Sequence, residues 1–245
     1  MQTICNLNTY FKRRRIIALA CLTAVVMLAG CKNNPSSTPV AERVARPDAN
    51  TASKRISDSS RILMDAMKDP KAPFHYSYKG QENINTKYPM DKTAKPEVGA
   101  VTLEADLTPD ELNIASSRGT KKEETKGKKS DQLAWSMGQL TLLGGLTNAT
   151  FSIAVGTTIA TVVGSDMVGG VAADKYTYDT SLATGSQKTG IDIAKSMLTN
   201  IHESKGTVCV AKDSGELVKF NIDSSYADKN GNAWQEHYEG EVTPK

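Results

Sequence analysis

Cysteine is the residue type in this sequence best suited to nucleophilic or redox chemistry. The four cysteines are Cys5, Cys21, Cys31 and Cys209. Cys5 and Cys21 fall in a segment that we expect to be removed on export, and Cys31 has another role, described below. Cys209 then has no partner within the chain, which excludes a disulfide framework and a Cys/His metal site. Because valine flanks Cys209 on both sides, we interpret it as a small apolar residue in a strand.

Two further patterns match catalytic motifs only in part. Lys188-Thr189-Gly190 matches one motif of penicillin-binding enzymes, but the chain has no Ser-x-x-Lys to supply the nucleophile. His75, His202 and His237 are scattered along the chain, and no HExxH sequence is present. We therefore predict that the protein is not an enzyme.

A partial calcium-binding pattern occurs near the end of the chain. Positions 1, 3, 5, 9 and 12 of a calcium loop are matched by Asp228, Asn230, Asn232, Glu236 and Glu239. The glycine stands at position 4, whereas the loop needs it at position 6, so an Asn-Gly turn is the simpler interpretation. No metal or other cofactor is predicted.

The first 31 residues have the three parts of an export signal. A basic run at 12–15 precedes an apolar run at 16–28, which is too short for a comfortable membrane span. The sequence Leu28-Ala29-Gly30-Cys31 then resembles the lipobox of bacterial lipoproteins. This resemblance implies cleavage between Gly30 and Cys31 and attachment of lipid to the Cys31 thiol. The alternative is an ordinary signal peptide that contains a cysteine by chance.

Charge and the residues after Cys31 bear on location and partners. The formal net charge is +3, but removal of the four basic residues at 12–15 leaves 26 basic and 27 acidic residues, or about −1. A nearly neutral mature chain gives no argument for nucleic acid as a partner. Lys32 and Asn33 follow Cys31, and in lipoproteins of enteric-type bacteria this implies the outer membrane. The periplasmic side of the inner membrane is the alternative.

Four segments follow the signal peptide at 1–30, and the first two contain few large apolar residues. Residues 31–53 are rich in Pro, Ser and Asn, which predicts a tether. Residues 54–130 are predicted to be mostly extended, with one helix at 54–69 that Pro70 ends and a second, short helix from Thr108 to about Ser117. The basic stretch at 118–129 is either a solvated linker or a contact with anionic lipid head groups.

Residues 131–174 contain a long apolar stretch with regularly spaced small residues. Positions separated by multiples of four are occupied by Gly144, Ser152, Gly156, Ala160 and Gly164. In a helix these positions lie on one face and allow another helix to approach closely. We therefore predict a glycine-zipper helical hairpin and a homo-oligomer interface formed by these five residues. A buried hairpin of a soluble protein is the alternative.

Residues 175–245 are predicted to form a small strand, helix, strand, strand domain. Alternating apolar residues at 175–183 indicate a strand, helical spacing from Ile191 to Ile201 indicates a helix, and the turn at 212–215 indicates a hairpin. The predicted fold class is therefore α+β: a lipid-anchored extended N-terminal region, a glycine-zipper hairpin and a small mixed C-terminal domain.

The order of these segments resembles the TraT-type surface-exclusion and complement-resistance lipoproteins. The resemblance lies in the lipobox, the charged region, the apolar segment that passes through Val171-Ala172-Ala173-Asp174, and the polar sequence at 229–238. It implies an outer-membrane homo-oligomer, anchored by lipid on Cys31, that blocks contact with mating donors or with complement. The alternative function is a structural or assembly lipoprotein that binds other subunits of an envelope-spanning secretion or conjugation apparatus.

Overall fold

The computed structural model describes residues 49–85, 95–198, 201–228 and 230–245 of the chain. Gly30 and Cys31, the predicted cleavage and lipidation sites, lie outside the described residues, as does most of the tether predicted at 31–53.

Nine antiparallel strands form one sheet in the order β4-β3-β2-β1-β9-β8-β7-β6-β5. The strands are β1 (Phe74–Asn83), β2 (Val98–Leu107), β3 (Glu111–Arg118), β4 (Lys121–Lys128), β5 (Thr161–Val168), β6 (Val171–Asp179), β7 (Ile201–Ala211), β8 (Leu217–Ala227) and β9 (Ala233–Pro244). Because β1 pairs with β9, the first and last strands lie side by side within the sheet. The two edges of the sheet are β4 and β5.

Three helices of the described residues cover one face of this sheet, which we call the covered face; the other is the open face. The helices are α1 (Ala49–Lys68), α2 (Gln132–Gly156) and α3 (Gly185–Leu198). Short 3₁₀ turns follow α2 at Thr157–Ile159 and β6 at Thr180–Leu182. α2 begins at an N-cap, since the Asp131 side chain accepts a hydrogen bond from the Ala134 backbone N–H.

The core forms because alternate strand residues point to the covered face. On β1, Tyr76 and Tyr78 are buried in one cluster with Ile56 and Leu63 of α1 and Leu142 of α2. The alternate residues of β1, which include His75, Ser77 and Lys79, point to the open face and are polar. This two-residue period fixes which face of each strand the helices cover.

A smaller apolar cluster lies on the open face beneath the end of the β5–β6 hairpin. It contains Val168, Ala173, Cys209, Ala211 and Val218. Gly169, in the turn of this hairpin, lies against Thr243 of β9. The end of the hairpin therefore folds over the open face.

The predicted fold class is wrong in two respects. The C-terminal strands are not a separate small domain, because β9 pairs with β1 and places them in the same sheet as the N-terminal strands. A helical hairpin is also absent from the described residues of the segment 131–174, which form α2 and the strand hairpin β5–β6.

The region between residues 70 and 130 is more regular than predicted. Its described residues form β1 to β4, and the basic stretch at 118–129 contains the whole of the edge strand β4. The helix predicted from Thr108 is a strand, β3. The Thr108 hydroxyl accepts a hydrogen bond from the Glu111 N–H at 2.9 Å, as a helix cap would, but here it closes the turn between β2 and β3.

The predicted small-residue stripe does not lie on one helix. Ala160 has extended backbone angles of −64° and 138°, and Gly164 lies in β5 with a φ of 152°. The β-branched run Thr161-Val162-Val163 favours a strand at this point. Gly169 and Gly170 then provide the two positive φ values of the hairpin turn, 52° and 83°.

Candidate functional site

Of the five residues predicted to form an oligomer interface, three lie inside the folded chain. Ser152 on α2 is fully buried, and Ala160 is buried in the core. Gly156 lies against the ring of Tyr178, and an added Cβ would come within 2.1 Å of it. Gly144 and Gly164 are exposed, one on α2 and one on β5. The structure thus does not bring the five residues together on one surface.

Ser152 belongs instead to a buried row of hydroxyl groups between α2 and the sheet. The hydroxyls of Ser152 and Ser224 lie 2.9 Å apart, and that of Ser204 lies 3.2 Å from Ser224. Tyr178 on β6 continues the row, with its hydroxyl 3.2 Å from Ser204. These side chains reach one another because serine is small enough to let α2 approach β7 and β8 closely.

The row continues through Tyr226 and Tyr238 to a buried carboxylate. The two tyrosine hydroxyls lie 2.7 Å apart, and Tyr238 donates a hydrogen bond to Glu236, which is only 6% exposed. Glu236 also accepts hydrogen bonds from the indole of Trp234 and from the backbone N–H of Asn83, both at 2.9 Å. A second buried carboxylate, Glu82, accepts a hydrogen bond from the Tyr78 hydroxyl.

Burial keeps the tyrosines of this network protonated. It raises the pKa of Tyr226 to about 12, and burial also raises the pKa of Tyr178 and Tyr238. Protonated tyrosines donate hydrogen bonds to the buried carboxylates, which is the condition for keeping such groups in a core. The arrangement is suited to holding α2, β7, β8 and β9 in register.

Two histidines on the open face each lie between two carboxylates. The Nδ1 atom of His75 lies 2.7 Å from Asp106, and its Nε2 atom lies 3.1 Å from Glu104. Lys245 lies 2.6 Å from the same Asp106 carboxylate, and the two contacts lower the pKa of Asp106. The pair formed with Lys245 joins the end of the chain to β2.

His237 has a matching environment on β8 and β9. Its Nδ1 atom lies 2.8 Å from Asp223, and its Nε2 atom lies 3.3 Å from Glu239. Partial burial opposes the charged ring, but the hydrogen bonds to these two carboxylates outweigh it, and the pKa of His237 is raised. Among the described residues, no group of three or more His, Cys, Asp or Glu is placed to hold a metal ion.

Cys209 is buried on β7, in agreement with its interpretation as a strand residue between valines. Burial raises the pKa of its thiol, so the reactive thiolate is disfavoured. Lys188-Thr189-Gly190 lies on α3, and Asp228 accepts hydrogen bonds from the N–H groups of Asn230 and Asn232 in the β8–β9 turn.

The buried network was not predicted from the sequence. Its signal is the two-residue period Ser224-x-Tyr226 on β8 and Trp234-x-Glu236-x-Tyr238 on β9, which places hydroxyl and carboxyl groups on the covered face. Serine and glutamate are mostly exposed residue types, so the pattern indicates the open face unless the location of the core is known.

Within the part of the chain that the structure describes, no single helix has the length and apolar character to cross a membrane. Two shorter helical pieces, Gln132–Gly144 and Ala149–Ile159, meet that requirement only when taken together across a 45° bend.

The fold and site define an antiparallel sheet covered on one face by three helices, with a buried hydroxyl and carboxylate network between them. No protein-family model and no curated protein matches the sequence. Among solved structures, the chain is similar to LprF from Mycobacterium bovis, with a TM-score of 0.35 and 15% sequence identity. The match covers 81% of this chain and 94% of that one, and it is too distant to transfer a function.

Proposed function

We propose that this protein is a lipid-anchored, non-enzymatic component of the bacterial outer membrane that acts as a structural or assembly subunit. The observation that carries the anchor is the sequence Leu28-Ala29-Gly30-Cys31 after a basic and then an apolar run. Acyl chains on Cys31 would hold the chain at the membrane, since each buried methylene contributes about 0.8 kcal/mol.

The number of residues between the anchor and α1 allows contact with partners away from the membrane. Seventeen residues lie between Cys31 and Ala49, the first residue of α1. A fully extended chain of that length reaches at most about 60 Å. In this proposal the sheet can contact other subunits up to that distance from the lipid surface.

The positions of the reactive side chains support a binding role in preference to catalysis. Each ring nitrogen of His75 and His237 faces a carboxylate, and Cys209 is buried as a thiol. The glycine-zipper ring predicted for a surface-exclusion protein needed a helical hairpin, and α2 packs on the sheet instead. Surface exclusion stays a prediction, and the assembly role is the function that this geometry supports better.

The anchor is tested by labelling cells that produce the full-length chain with a palmitate analogue. We expect label in the unaltered chain and in Cys21→Ala, and none in Cys31→Ala, which should also keep its signal peptide. Label on Cys31→Ala, or none on the unaltered chain, would contradict the anchor.

The assembly role is tested by separating inner and outer membranes and cross-linking the acylated chain in the envelope. We expect it in the outer-membrane fraction, with cross-links to unlike envelope proteins that survive mild-detergent extraction. Recovery of the chain linked only to itself would count against the assembly role and favour a self-contained oligomer.

A further inference from the structure

The two edge strands of the sheet differ sharply in charge. The edge strand β4 has the sequence KKEETKGK, in which six of eight residues are charged. The edge strand β5 has the sequence TVVGSDMV, in which Asp166 is the one charged residue, and seven of its eight residues are exposed. Charged side chains on an edge prevent another strand from pairing with it, so β4 is protected in a way that β5 is not.

The outward backbone groups of β5 follow from its hairpin with β6. Val168 and Val171 flank the two-residue turn and pair with each other. In such a hairpin hydrogen-bonded pairs alternate, so Val168, Asp166 and Gly164 bond to β6 while Ser165 and Met167 direct their N–H and C=O groups outward. In agreement, the Met167 N–H donates a hydrogen bond to the Asp166 carboxylate, 2.8 Å away.

The sequence of β5 matches itself when a second copy runs antiparallel about Ser165. In that register Met167 of one copy lies opposite the bulge at Val162 and Val163 of the other, and Asp166 lies opposite Gly164. The side chains of Met167 and Val163 are 64% and 54% exposed, so their contact would remove apolar surface from water. The two Asp166 carboxylates are not placed opposite each other, which avoids repulsion between like charges.

We propose that β5 is a dimerisation edge on which a second copy of this chain pairs its own β5, antiparallel about Ser165, to give one continuous sheet. A two-fold interface uses the same patch on both copies, so each residue must be compatible with the residue that the two-fold axis places opposite it. The β5 sequence meets this condition. The contact of Gly169 with Thr243 holds the hairpin in place and presents the edge in one orientation. This pairing does not depend on the lipid anchor.

Ser165→Cys tests the register directly in cells that produce the full-length chain. A hydrogen-bonded antiparallel pair has a Cα–Cα distance of about 5.5 Å, within the range that a disulfide spans. Envelopes are oxidised with copper phenanthroline and run on a non-reducing gel. We expect a reducible band at twice the chain mass for Ser165→Cys. Lys126→Cys, an exposed position on β4, is the matched control and should stay at the monomer mass, as should the unaltered chain, whose Cys209 is buried.

A second variant separates pairing from random collision. Met167→Lys, added to Ser165→Cys, places a charge opposite Val163 at an exposed position, so the fold should persist with an unchanged melting temperature and the dimer band should disappear. The proposal is overturned if Ser165→Cys stays monomeric, if it links to a protein of different mass, if Lys126→Cys links equally well, or if the dimer band survives Met167→Lys. Each outcome is read separately from palmitate labelling at Cys31.

Discussion

Gly156→Ala distinguishes a small residue needed inside the protomer from one needed between protomers. The added Cβ would lie 2.1 Å from the Tyr178 ring, while the backbone of Gly156 is already helical, with a φ of −81° and a ψ of −19°. Overpacking a core costs about 1–3 kcal/mol. The better helix propensity of alanine offsets up to about 1 kcal/mol of this. We expect the free energy of unfolding to fall by about 1–2 kcal/mol.

The control is Gly190→Ala on α3, where an added Cβ would meet nothing within 4 Å. Alanine should stabilise this helix by about 0.5–1 kcal/mol. Both variants are measured by denaturant unfolding and by thermal melting of the detergent-solubilised chain. We expect Gly156→Ala to lower the melting temperature by roughly 2–8 °C. If Gly156→Ala is as stable as the unaltered chain but no longer self-associates, Gly156 is needed between protomers and not for packing against Tyr178.

Three further predictions concern buried and paired groups. Ser224→Ala should lower the free energy of unfolding by about 1–3 kcal/mol, because it leaves the buried hydroxyls of Ser152 and Ser204 short of a partner. The control, Ser136→Ala at an exposed position on α2, should change it by less than about 0.5 kcal/mol. Equal effects of the two substitutions in denaturant unfolding would refute the network. The raised pKa of His237 stabilises the fold below the unfolded value of about 6.5, and this contribution is lost as the pH rises through the folded pKa. The stability advantage over His237→Gln should thus shrink as the pH rises above about 6.5, and a constant difference would disprove the pairing. Cys209 should react with a thiol reagent, followed by mass spectrometry, only on the timescale of unfolding; rapid labelling of the folded chain would show that it is accessible.

Local patterns predicted the elements that depend on nearby residues. The helix predicted at 54–69 occurs as α1, because Ile56, Leu63 and Met67 recur on one face and are buried there. The turn at 212–215 joins β7 and β8, with Gly215 in the positive-φ conformation. In both cases the deciding interactions lie within a few residues of the chain.

Patterns that depend on distant strands were misinterpreted. Two apolar residues on β3, Leu112 and Ile114, are not enough by themselves to predict a strand. They are buried because α2 covers them. The sequence Thr108-Pro109-Asp110-Glu111 is compatible with a helix N-cap and with a turn between strands. The pairing of β3 with β2 selects the turn. The pairing of β1 with β9 joins residues more than 150 positions apart, which no local period reveals.

Two small residues on α2, Ser152 and Gly156, lie where this helix approaches another surface closely. Small residues on one face of a helix indicate that it lies close to another surface, and α2 does lie close to one. That surface is the chain's own sheet: Ser152 reaches Ser224 through hydroxyl groups, and Gly156 fits against Tyr178. A serine hydroxyl at this position needs a polar partner once it is buried, and alternate residues of β7 and β8 supply it with Ser204 and Ser224. The matching hydroxyls on these strands explain why Ser152 and Gly156 pack within the chain, whereas Gly144 and Gly164 stay exposed.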